Sequence, residues 1–198
     1  MKVKKTKLIK AIIFYALTIF LGGYIIFGFF ASAKQTVNVF YFKGFRVGTS
    51  SMEPVLNVND VVIARKVKQD NLKIGDIITF ETYVYEFGKI EKVIVTHYIG
   101  DIQELEGKTI YKTQGYQFKD TDSYDEVWVN KDKEPVEIEF ENIIGKYAFK
   151  IPAVGALIVF IQTIFKDPIL LGLVVLNITI IVVIIKMIGK KKNKEQEQ

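Results

Sequence analysis

The chain has no cysteine, one histidine (His97), one tryptophan and four prolines among 198 residues. Without cysteine no disulfide can form, and thiol nucleophiles, thiolate metal sites and thiol redox chemistry are excluded. A single histidine leaves only carboxylates to build a metal centre, so neither a metal nor any other cofactor is expected. A sustained 3.6-residue period is also missing between Lys34 and Lys150. That stretch reads instead as short alternating or apolar runs broken at Gly44, Asn57 to Asp60, Lys73 to Asp76, Gly88 and Gly115, the pattern of an all-β domain. Strands are expected over Thr36 to Phe42, Val61 to Val67, Ile77 to Phe80, Tyr83 to Phe87, Ile90 to Ile99, Lys108 to Thr113 and Val136 to Phe140, with an acidic loop from Asp120 to Glu126.

What the chain has in abundance lies at its two ends. Ala11 to Ala33 runs 23 residues without a charge, and Pro168 to Ile185 gives a second uncharged run of 18. About 20 apolar residues cross a bilayer as a helix, so two transmembrane helices are expected. The first run begins with lysines and ends in Ala31-Ser32-Ala33, as a cleavable signal sequence would. It is far longer than the roughly 7–15 apolar residues of such a segment, and an uncleaved anchor is the expectation. Lys2, Lys4, Lys5, Lys7 and Lys10 precede or enter the first helix, and Lys186, Lys190, Lys191, Lys192 and Lys194 follow the second. Positive residues stay on the cytoplasmic side, which puts both termini inside and the middle of a multi-pass cell-membrane protein outside. The net charge of +5 is largely these two clusters, so nucleic acid is not an expected partner. The resulting division is a basic start and first span (1–33), a β domain (34–150), an apolar membrane-proximal stretch (151–166), a second span (167–189) and a basic tail (190–198).

Between two β-type runs lies Gly48-Thr49-Ser50-Ser51-Met52-Glu53-Pro54. A serine hydroxyl needs a neighbouring base before it becomes a nucleophile, and His97 sits in the apolar run Val93 to Ile99. Either residue alone more often has a structural role. Their order along the chain, with other motifs, says more. Ser51-Met52-Glu53-Pro54, Gly75-Asp76-Ile77, Val95-Thr96-His97-Tyr98-Ile99, Thr113-Gln114-Gly115 with its acidic loop, Ile143-Ile144-Gly145-Lys146 and Ile151-Pro152 together resemble type I signal peptidase. The resemblance is collinear over about Val47 to Gly155.

In that family the general base is lysine in most bacterial enzymes and histidine in the endoplasmic-reticulum type, which archaea share and some Gram-positive bacteria carry. His97 resembles the second type. The resemblance implies a signal-peptidase or LexA-like β fold, with Ser51 as nucleophile, His97 as general base and an aspartate to orient it. Counting from Gly115 places that aspartate at Asp122, although Tyr116 stands where the family usually has an aspartate. It also implies an oxyanion site made by the Ser51 backbone N–H and the Thr49 hydroxyl, where relatives carry serine. The implied substrates are signal peptides of exported precursors, bound as extended strands at the bilayer surface, with the secretion translocon as a possible neighbour.

Two other readings are compatible with parts of the chain. One is a dedicated LexA-like processing protease, which His97 and the two apolar ends argue against. The other is a catalytically silent membrane-anchored β protein, an adhesin or assembly subunit, from which the co-occurrence of Ser51, His97 and Asp122 would distinguish an enzyme.

Overall fold

A computed structural model describes residues 2–105 and 107–196, with the side chains of 2–6, 29 and 187–196 excepted. It divides into two compact units, Met1–Pro152 and Ala153–Gln198. The first holds helices α1 (Lys2–Phe30) and α2 (Ala33–Phe40) and strands β1 (Phe42–Arg46), β2 (Val61–Arg65), β3 (Ile77–Glu86), β4 (Lys89–Leu105), β5 (Lys108–Gln114), β6 (Trp128–Val129), β7 (Ile138–Glu139) and β8 (Ile143–Ile151). The second holds α3 (Val154–Lys166) and α4 (Pro168–Gln196). Two helices, over Lys7–Gly28 and Pro168–Lys186, are long and apolar enough to cross a membrane.

The expected β domain is present as one antiparallel sheet in the order β1-β2-β8-β3-β4-β5-β7, with β6 paired to β3. Its spine is the hairpin of β3 and β4, which pair from Ile77↔Tyr98 out to Glu86↔Lys89. The two strands expected over Ile77 to Phe87 are therefore one, and the strand bearing His97 runs on to Leu105. Side chains alternate along a strand, so His97 and Ile99 share one face of β4 while Thr96 and Tyr98 share the other. The main core contains Ile78, Phe80, Ile99, Tyr111, Trp128, Ile138 and Ile143. A second cluster, Met52, Leu56, Val62 and Tyr98, lies under the serine-bearing loop. Register shifts at Ile63/Ala64, Thr79/Phe80 and Ile99/Asp101 mark bulges, which bend strands and re-aim side chains.

The strand expected over Thr36 to Phe42 is instead α2. The Ser32 hydroxyl accepts from the Gln35 N–H at 3.2 Å, and the Gln35 side chain accepts from the Ser32 N–H at 2.8 Å. That reciprocal pair is a capping box, which satisfies two donors at the start of a helix. Thr36 and Val37 are then buried and Val39 is exposed, with Val37 packed beside Ala33 and Ile144. Tyr41, at φ 69°, closes the helix with its N–H on the Val37 carbonyl.

Candidate active site

Ser51 lies in the loop between β1 and β2, and a buried aspartate holds that loop. Asp60 is 3% exposed; its carboxylate accepts from the Asn57 N–H at 3.0 Å and pairs with Lys150 Nζ at 2.8 Å. Its backbone carbonyl accepts from the Val47 N–H at 2.8 Å, and Asn59 N–H returns to the Val47 carbonyl at 3.0 Å. Met52 and Leu56 anchor the same loop from below, at 2% and 0% exposure. Ser51 itself stays at the surface. The Ser51 backbone is thus held in place while the residue itself stays open to solvent.

His97 projects from β4, 7% exposed. Its Nε2 lies 2.9 Å from Ser51 Oγ and its Nδ1 2.7 Å from an oxygen of Asp125. The aspartate on the imidazole is therefore Asp125 and not Asp122. Asp122 is exposed and lines a shallow cleft with Tyr98, Gly100, Gln114, Lys119 and Tyr124. The reason is the path of the loop. After Gly115 a short 3-10 turn, Tyr116–Phe118, and a left-handed Asp120 at φ 65° take up chain length. Asp125 is the first acidic residue to return to β5, where its N–H bonds the Thr113 carbonyl at 2.7 Å.

A further layer holds the carboxylate, and the sequence did not reveal it. The Thr113 hydroxyl donates to the same Asp125 oxygen at 2.7 Å, and the Trp128 indole N–H donates to that hydroxyl at 3.0 Å. Both residues are buried. Because the Thr113 oxygen accepts from the indole, its own proton is directed at Asp125. Trp128, Thr113, Asp125, His97 and Ser51 form one hydrogen-bonded chain ending at the serine oxygen.

Thr49 is on the same loop, with its hydroxyl 3.3 Å from Ser51 Oγ. Ser50 lies outside the chain of contacts; its carbonyl accepts from the Glu53 N–H at 3.0 Å in the turn. Tyr98, on the other face of β4, packs with Met52 and Leu56 and has Lys119 Nζ 5.4 Å above its ring. Burial pushes the Tyr98 phenol up from its ordinary value. Among the described residues no group of three or more His, Cys, Asp or Glu is placed to hold a metal ion.

A hydroxyl, an imidazole and a carboxylate bonded in this order can make the oxygen nucleophilic. The imidazole takes the proton as the bond forms, and the carboxylate fixes its tautomer and stabilises its charge. No family model matches this chain, and no curated protein sequence matches it.

Proposed function

We propose that the chain is a membrane-bound serine endopeptidase that removes signal peptides from exported proteins, of the histidine-dependent type I kind. The observation that supports it most is the bonded series Ser51–His97–Asp125. A β protein acting as an adhesin or assembly subunit would have no use for a serine held open to solvent on a buried imidazole–carboxylate pair.

In this reading Ser51 Oγ attacks the scissile carbonyl as His97 Nε2 takes its proton. The same nitrogen then protonates the leaving amine, and the acyl-enzyme is hydrolysed by water activated in the same way. Asp125 keeps the Nδ1 proton in place throughout. The Thr49 hydroxyl and the Ser51 N–H are the donors assigned to the developing oxyanion, where one donor is worth about 2.7–4 kcal/mol. The two apolar helices anchor the domain, with both termini cytoplasmic and the β domain outside. Signal peptides are captured as extended strands by main-chain hydrogen bonds, next to the bilayer from which they emerge.

The test is precursor processing by the purified full chain in detergent and in cells. Ser51→Ala should abolish it while Ser50→Ala keeps it. Normal processing with Ser51→Ala would end the enzyme reading and leave the structural-subunit one.

A further inference from the structure

The loop that delivers Asp125 is held at its two ends and by little between them. Residues 116–123 are all exposed. Tyr116 N–H is tied to the Ser51 carbonyl, but the described hydrogen bonds of residues 117–123 stay within the segment 115–123. After Gly115, Tyr124 is the first residue to become half-buried, and Asp125 follows it directly.

The cover for Tyr124 comes from a defect in β4. That strand pairs Tyr98 with Gln114 and Ile99 with Thr113 of β5, and the next pair is Asp101 with Lys112. Gly100 is thus the unpaired residue of a bulge, three positions beyond His97. A β-carbon added to Gly100 would lie 2.7 Å from Tyr124 Cε1 and 2.6 Å from Gln114 Oε1. The Tyr124 ring and the Gln114 amide therefore press directly on the glycine backbone, in space that any larger residue would fill. Residues directly opposite in a ladder share a face of the sheet. Gln114 accordingly lies with Tyr98 on one face, and Thr113 with Ile99 on the other. Tyr124 and Asp125 follow the same division. Tyr124 meets Gly100 beside Gln114, while Asp125 reaches Thr113 and His97.

We propose that Tyr124 is a positioning residue: its ring, seated on Gly100, sets where the Asp125 carboxylate stands against His97 Nδ1. This rests on the reading of Ser51, His97 and Asp125 as the catalytic series. Thr113 holds Asp125 from β5 by its carbonyl and its hydroxyl, both at 2.7 Å. The Tyr124 seat supplies the grip from the sheet's opposite face, so the dipeptide is clamped from both sides. It also accounts for which carboxylate of the loop is used. Asp120 and Asp122 lie in the exposed part, and Asp125 is the one next to the seated ring.

The chain's single histidine allows a test that does not depend on turnover, because [15N]histidine labels one imidazole and its two nitrogen shifts report which of them carries the proton. In the full chain in detergent, the neutral ring should hold its proton on Nδ1. Tyr124→Phe, which keeps the ring, should leave that tautomer in place. Tyr124→Ala should give a mixture of tautomers, and so should Gly100→Ala, which fills the seat without touching Tyr124. In precursor cleavage both should lower kcat about ten- to a hundredfold with KM nearly unchanged, the cost of a misplacement of about 1 Å. In an Asp125→Asn background Tyr124→Ala should cost nothing more, since changes within one unit do not add. An unmoved tautomer in Tyr124→Ala, or the same loss of rate in both backgrounds, would overturn the positioning role and leave Tyr124 a residue of the fold. A mixed tautomer in Tyr124→Ala, in a chain whose precursor cleavage does not depend on Ser51, would uphold the seat and overturn the peptidase reading instead.

Discussion

Gly115 passes so close to Ser51 that a β-carbon added to it would sit 2.9 Å from the Ser51 carbonyl oxygen. The next residue uses that proximity, since Tyr116 N–H donates to the same oxygen at 2.8 Å. The end of β5 therefore sets the height of Ser51 as well as the start of the acidic loop. Gly115→Ala must push backbone against backbone, with no flexible side chain to yield. A misplacement of about 1 Å costs around 10²-fold in rate, so precursor cleavage by Gly115→Ala should fall about ten- to a hundredfold in kcat. Thermal unfolding should move less, because the clash falls on one backbone contact beside the main core and not within it. A variant that melts early but cleaves at the full rate would show that Gly115 serves the fold alone.

The two candidate orienting carboxylates separate in one experiment. Asp125→Asn keeps the shape but reverses the hydrogen-bond partner offered to His97 Nδ1. The wrong tautomer then faces Ser51, and in the best-studied triad that costs roughly 10⁴-fold in kcat. Asp122→Asn, on an exposed carboxylate, should change the rate by less than about twofold, as surface substitutions do. Steady-state cleavage of a precursor peptide distinguishes them. The reverse ranking would return the role to Asp122.

How much of this was legible follows from which features are local. The serine turn and His97 were readable because each sits beside residues of characteristic type: Met52 and Pro54 in one case, a β-branched run in the other. The aspartate was not. Asp125 is chosen by contacts with Thr113, a residue in the preceding strand, and spacing cannot register a 3-10 turn and a left-handed residue inserted before it. Nor does any local pattern tie Trp128 to Thr113, whose pairing exists only once β5 and β6 are both in the sheet. The helix α2 is a different kind of miss. Its capping-box signal, Ser32 followed by Gln35, was in the sequence, but Thr36 to Phe42 also alternates like a strand. Burial of Val37 against Ile144 decides between them. Strands β6 and β7, of two residues each, are too short to carry a period.

The hydrogen-bonded pair behind Asp125 offers the sharpest test of the site as a connected unit. The Thr113 hydroxyl donates a hydrogen bond to the Asp125 carboxylate and accepts one from the Trp128 indole N–H, so it spreads the carboxylate's negative charge away from His97. Thr113→Val keeps the volume, removes that donor and leaves the indole N–H without its acceptor. That hydrogen bond fixes where the carboxylate, and through it the imidazole, stands, and a misplacement of about 1 Å costs around 10²-fold in rate. Thr113→Val should therefore lower kcat about tenfold or more with KM nearly unchanged, since Thr113 is buried away from any substrate. A merely structural role would stop there. A positioning role also moves the pH profile, because an Asp125 carboxylate with one donor fewer presents more negative charge to the imidazole. That charge favours the protonated ring, which cannot accept the Ser51 proton, so the acid limb of the kcat profile should shift to higher pH. Thr113→Ser restores the hydroxyl without the methyl and should return both kcat and the limb toward those of the unmodified chain. An unshifted limb in Thr113→Val, or a Thr113→Ser variant that rescues neither quantity, would detach Thr113 and Trp128 from the chemistry and leave them as core residues.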